Sequence, residues 1–147
     1  MNIRTVNLTL PVPVAPVFSF FARIENLPQW ATEFCERVWL DGSTWKLATS
    51  QGEMTGNFRC HAESGVVDQF IGPSVEQQGL FPIRVFSLGQ MSVVQFTFIQ
   101  PPGLPDAVYE RQYASLLTEM RGVGRRFGGG TLHAPGFPTE TIAAGQQ

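Results

Sequence analysis

Six side chains of this sequence carry groups that can move a proton or fix a charge at a reacting carbon: Glu53, His61, Asp68, Arg84, Tyr109 and Tyr113. A general acid or base must stand within hydrogen-bond reach of the carbon it serves, whether enolisable or hydroxylated. His61 titrates in the neutral range, which makes it useful wherever a substrate reaches it but does not place it there. It follows Cys60 on the strand parity opposite Met54 and Phe58, so if those apolar side chains face a cavity, His61 faces solvent. Asp68 lies between Val67 and Gln69 in a strand-like run, and a mid-strand carboxylate is either on the wet face or buried with a partner. Arg84 is the candidate partner. If the pair flanks a cavity, the planar fork of Arg84 could orient a ligand carbonyl or carboxylate, and its loss would hurt binding more than folding. His61 and Asp68 are thus the catalytic candidates, with Arg84 or a tyrosine as the oxyanion partner.

Trp30, Trp39, Trp45 and twelve phenylalanines supply more aromatic surface than a core of this size needs, which points to an apolar pocket. Any single ring, Trp30 included, also serves as simple core packing. The lining candidates are Trp30, Phe58, Phe96 and Leu117, with Tyr109 and Tyr113 on the inner face of a helix. Buried tyrosine hydroxyls must find partners in the protein or meet a ligand. Cys60 beside His61 could form a thiolate, although an isolated cysteine is more often a small buried hydrophobe. No Cys/His cluster marks a metal site, and no nucleophile elbow, phosphate loop or dinucleotide fingerprint occurs. Gly128-Gly129-Gly130 follows a helix and does not open one, so neither a cofactor nor a metal is expected.

Composition bounds the rest. A chain of 147 residues is one domain's worth, and its 43% hydrophobic and 15% charged content can bury a core. The net charge of −2 gives no reason to bind nucleic acid, since phosphate binding needs clustered cations. Of the ten basic residues only Arg121, Arg125 and Arg126 cluster. Every apolar run falls short of the roughly 20 residues that span a bilayer, and no basic-then-apolar leader is evident. With two cysteines and no disulfide framework, the expected setting is a reducing cytosol.

Alternation from Ile3 to Val12 predicts a first strand, with Val6, Leu8, Leu10 and Val12 on one face. Phe18, Phe21 and Ala22 then recur at helical spacing, and Asn26-Leu27-Pro28-Gln29-Trp30 reads as a break followed by a second short turn. From Glu33 to Gln100 strand-like runs alternate with turn signals at roughly 8–12-residue spacing, the pattern of an antiparallel meander. Asp41-Gly42 is its best hairpin signal. After Pro101-Pro102-Gly103, residues Tyr109, Tyr113, Leu116, Leu117, Met120 and Val123 keep the helical period, with Asp106 as the expected N-cap. The order is α+β: about seven strands, two short helices after the first, and one long C-terminal helix. A bent sheet is wider than one helix of about 10–12 Å, so a cavity between them is expected. Residues 1–127 are read as the domain and 128–147 as a flexible tail.

With the runs Val12-Pro13-Val14-Ala15-Pro16-Val17-Phe18-Ser19-Phe20-Phe21, Asn26 to Trp30, Gly65-Val66-Val67-Asp68, Arg84-Val85 and Phe96-Thr97, the chain resembles the START-like or Bet v 1-like helix-grip superfamily over residues 3 to about 127. Within it the match is to the small bacterial polyketide cyclase/dehydrase-like branch. The resemblance implies a helix-grip fold, and an Asp and an Arg recurring at the places of Asp68 and Arg84. The superfamily includes sterol and lipid carriers, hormone receptors, aromatase/cyclases and chaperone activators, so the fold alone leaves function open. The expectation is a binder of a small apolar molecule, a lipid, polyketide or aromatic metabolite. Its alternatives are a cyclase/dehydratase acting in the same cavity and a protein-interaction module; a homodimer is left open. Whether the cavity is open, filled by its own aromatics or gated by the segment from Gly72 to Gly79 is left open.

Overall fold

The computed structural model describes residues 1–145. Strand β1 (Ile3–Leu10) leads into helix α1 (Val14–Ala22), a single 3-10 turn at Ile24–Asn26 and the one-turn helix α2 (Leu27–Trp30). Six strands follow: β2 (Cys35–Asp41), β3 (Thr44–Thr49), β4 (Gly52–His61), β5 (Val66–Ser74), β6 (Gln77–Leu88) and β7 (Met91–Ile99). Helix α3 (Asp106–Arg126) crosses back, and β8 (Gly130–His133) and β9 (Glu140–Ile142) end the described chain. All pairings are antiparallel, in the order β2-β3-β4-β5-β6-β7-β1-β8-β9.

Strands β1, β5 and β7 bury alternate residues, as a sheet with one covered face requires. Val6, Leu8 and Leu10 of β1, Val67 and Ile71 of β5, Ile83 and Val85 of β6, and Val94, Phe96 and Phe98 of β7 point inward. Against them α3 presents Tyr109, Tyr113, Leu116, Leu117, Met120 and Val123, the stripe that the helical period picked out. The Asp41-Gly42 turn joins β2 to β3, with Gly42 at φ 63°, a conformation that side chains with a Cβ rarely adopt.

Two expectations need correction. The sheet has nine strands rather than about seven, because the segment expected to be a flexible tail folds onto it. Asn7, Leu8 and Thr9 of β1 pair with His133, Leu132 and Thr131, and Leu132 and Ile142 are buried. Gly124 makes room for the latter, since a Cβ there would lie 3.0 Å from Ile142 Cδ1. Residues 146–147 of the expected tail lie outside the described residues. Asp106 is the first residue of α3 rather than its N-cap, which is Pro105; its carboxylate accepts from Gln100 Nε2 at 2.8 Å instead. The Gly72–Gly79 segment forms the β5–β6 hairpin, closed by pairing of Ser74 with Gln77.

Candidate functional site

Helix α3 does not fill the concave face. Between it, α2 and strands β4 to β7 lies a cavity of about 440 Å³, within the size range of small-molecule pockets. Its walls are mostly apolar: Leu27 and Trp30 of α2, Ile71 and Phe81 of the β5–β6 pair, Phe96 and Phe98 of β7, and Leu116 of α3. Phe21 holds Trp30 edge-on at 5.0 Å, and Trp30 in turn meets Phe96 at 6.2 Å. This aromatic chain fixes one wall. The β5–β6 hairpin contributes Gly72, Pro73, Gln77 and Gln78 near the opening.

A few polar groups interrupt this lining. Glu119 sits one turn beyond Leu116 on α3 and is only 6% exposed. Its Oε2 accepts the backbone N–H of Glu33 and of Phe34, both at 3.1 Å, and so ties the helix to the turn after α2. Burial pushes its carboxyl up from 4.5 to about 7; the two backbone bonds pull the other way and the nearby Glu33 carboxylate adds to the rise. Gln69, 1% exposed on β5, donates from Nε2 to the Phe81 carbonyl at 3.2 Å, while its Oε1 has no partner among the described residues. The indole Nε1 of Trp30 is likewise buried without an acceptor. Such orphaned groups are rare in folded proteins and call for a specific explanation.

The residues singled out from the sequence divide sharply. Trp30 and Phe96 line the cavity. Arg84 does pair with Asp68, Nη1 donating to Oδ1 at 2.7 Å, but both lie on the convex face, because their neighbours Val67, Gln69, Ile83 and Val85 take the inward positions. The pair therefore cannot orient a ligand in the cavity. His61 is exposed at the end of β4, with Nδ1 2.8 Å from Ser64 Oγ in the following turn. Tyr109 and Tyr113 are fully buried, but their hydroxyls donate to the carbonyls of Phe98 and Pro135 at 2.7 and 2.8 Å. Tyr109 instead braces the cavity by stacking on Phe98 at 4.9 Å. Leu117 packs in the core beside the lining residue Leu116. Phe58 keeps the inward parity but lies in a separate cleft with Trp45 and the turn from Ala22 to Glu25.

Glu119 and Gln69 were missed, although both sit at inward positions of their elements. Glu119 falls three residues after Leu116 and four before Val123, on the apolar stripe where a charge is out of place. Gln69 alternates with Val67 and Ile71, so its amide must share their buried face.

Cys35 is buried, and its thiol is pushed up to about 11 chiefly by that burial, with the nearby Glu119 carboxylate adding to the rise. No described helix is long and apolar enough to cross a membrane.

No protein-family model and no curated protein matches the chain. Solved structures do. A START superfamily protein from Mycobacterium smegmatis superposes with a TM-score of 0.55 at 12% identity, covering 82% of this chain and 95% of that one. The Zhui aromatase/cyclase from Streptomyces sp. R1128 gives 0.57 at 14% identity, with 83% and 89% covered. The Aha1 dimer from Colwellia psychrerythraea gives 0.56 at 13% identity, with 80% and 92% covered. These chains share an architecture with ours at identities too low to carry a function across. The curved antiparallel sheet gripping one long C-terminal helix, as in these structures, is the helix-grip fold of START-like and Bet v 1-like proteins.

Proposed function

We propose that this protein binds a small, mostly apolar molecule, of the lipid, polyketide or aromatic-metabolite kind, in the cavity between sheet and α3. The observation that carries this reading is the cavity itself, with aromatic and aliphatic walls and buried polar atoms left without partners. A compact core would fill such a space, since interiors pack to the density of organic crystals. Burying apolar ligand surface supplies the affinity, at about 25 cal/mol per Å² before the cost of association, and the few polar groups set orientation. Thermal-shift titration against sterols, flavonoids, aromatic polyketides and fatty acids tests it. A concentration-dependent rise in melting temperature supports binding to the folded state, and no shift across the panel argues against it.

One observation favours a second reading, acid/base catalysis in the same cavity. The Glu119 carboxyl, raised to about 7 by burial, is held in the range where a group both gives and takes a proton at neutral pH. It supports a cyclase or dehydratase chemistry in which Glu119, rather than His61 or Asp68, is the acid/base. Turnover of a bound hydroxylated polyketide that is lost in Glu119→Gln, with binding kept, would favour catalysis over carriage. The third class, a protein-interaction module, keeps only part of its one sequence cue. Arg121 is engaged by Glu140 and Arg126 by Gln29, which leaves Arg125 as the member of the cluster that a partner would meet free.

A further inference from the structure

The charges bordering the cavity have one sign. Glu119 stands on its α3 wall, Glu33 in the turn after α2 and Glu76 at the tip of the β5–β6 hairpin, and no Lys, Arg or His joins them among the lining residues. Glu33 and Glu76 are solvent-exposed, whereas Glu119 is only 6% exposed. Its Oε2 is committed to the backbone N–H groups of Glu33 and Phe34. Its Oε1 accepts no hydrogen bond among the described residues, and it keeps accessible surface: the unpartnered side-chain atoms sealed from contact are Trp30 Nε1, Gln69 Oε1 and Ser92 Oγ. Glu119 is thus a buried acceptor on the cavity wall with one oxygen spare and no cation to neutralise it, since the charge that acts on it is that of Glu33, of the same sign.

Resting on the reading of this cavity as a ligand site, we propose that its ligand is a small apolar amine whose ammonium group pairs with Glu119, and that the cavity rejects carboxylates. An ammonium carries three donors and a positive charge, so it supplies Oε1 with a hydrogen bond and the carboxylate with the counter-charge the fold withholds. Burying an ion pair is costly when both partners leave water together, but here the carboxylate is already desolvated by folding, and binding adds only the dehydration of the amine. A hydroxyl offers one donor and leaves the charge uncompensated. A carboxylate brings a second negative charge beside the first with no cation at hand. The apolar body of the ligand lies against Trp30, Phe81, Phe96 and Phe98.

Because burial holds the Glu119 carboxyl at about 7, part of the population is protonated at neutral pH, and an ammonium takes the place of that proton, which leaves for solvent. The titratable groups that face it among the described residues are Glu33, Cys35 at the start of β2 and, across the cavity, Glu76. Amine binding therefore tightens as pH rises through about 7 and levels off above it.

Naphthylmethylamine, naphthol and naphthoate share one ring system and differ in charge, and calorimetric titration of each into the protein isolates the choice. At about pH 7.5 the amine is expected to bind about tenfold tighter than naphthol, and naphthoate about tenfold weaker. Between about pH 5 and about pH 8 the affinity for the amine should rise about tenfold while that for naphthol stays level, as linkage to one carboxyl requires. Glu119→Gln, which removes the charge yet can accept the same backbone bonds, should bring amine and naphthol to within about twofold of each other and flatten the amine's pH profile. The profile of the parent protein carries the test if that variant does not fold. Amine binding no tighter than naphthol, a flat profile, or a preference that survives Glu119→Gln would overturn the proposal, while naphthol binding would keep the cavity reading beneath it. If none of the three probes binds, that reading falls as well.

Discussion

The carboxylate of Glu119 accepts the backbone N–H of Phe34 at 3.1 Å, joining the middle of the last helix to a turn 85 residues earlier in the chain. This buried side chain lines the cavity and is its one deeply buried carboxyl among the described residues. What the cavity binds and how its stability responds to pH both pass through this residue.

Because burial raises the Glu119 carboxyl from 4.5 to about 7, the folded state holds its proton more tightly than the unfolded chain. The resulting stabilisation is fully present below about pH 4.5 and is lost as pH rises through about 7, amounting to about 3 kcal/mol. Glu119→Gln should therefore gain stability relative to the parent protein between about pH 5 and about pH 8. Urea unfolding of both proteins across that interval checks the difference, which cancels the contribution of all other carboxylates. Parallel curves would mean that Glu119 is ionised throughout.

Arg84→Ala and His61→Ala are expected to leave ligand binding unchanged. Arg84 contributes a half-exposed ion pair on the convex face, and pairs of that kind contribute at most about 1 kcal/mol to stability. Titrating each variant with naphthol reads this directly, and a tenfold loss in either would put the site on the wrong face of the sheet.

The last strands should behave as part of the domain. Leu132→Ala removes a side chain 2% exposed between β1 and α3, and is expected to cost about 2–4 kcal/mol. Chemical denaturation measures it; a loss below about 0.5 kcal/mol, typical of surface positions, would show that β8 and β9 are dispensable.

Iodoacetamide should alkylate Cys60 well before Cys35. Cys60 is exposed, whereas Cys35 is buried with its thiol held at about 11, so almost none of it is thiolate at neutral pH. Peptide mass spectrometry at increasing reaction times gives the order, and equal rates would contradict the burial of Cys35.

The sequence announces this fold through its periods. Alternation in β1, the Asp41-Gly42 turn and the stripe from Tyr109 to Val123 each satisfy a local rule, and those rules agree with one another. β8 and β9 escape because four and three residues are too few to show a period, and the glycine run from Gly128 into the first residue of β8, Gly130, reads as a stop. The site was harder to see. Pairing of Asp68 with Arg84 was legible, but its face depends on where β5 sits relative to α3, which a single residue's chemistry does not reveal. Tyr109 and Tyr113 lie on the inner stripe as expected, yet backbone carbonyls of β7 and of the β8–β9 loop take their hydroxyls. Only tertiary contact decides between a carbonyl and a ligand. Glu119 and Gln69, by contrast, break the apolar pattern on the page, and a search for polar residues at inward positions would have found both.

Native mass spectrometry of the protein titrated with naphthol, run in parallel on Ser115→Trp, tests the ligand-binding account most directly. Ser115 lines the cavity from α3, and an indole in its place takes up the space a ligand needs. The account expects a one-to-one complex with the parent protein and none with a folded Ser115→Trp variant. Equal binding by both proteins, or by neither, would contradict it.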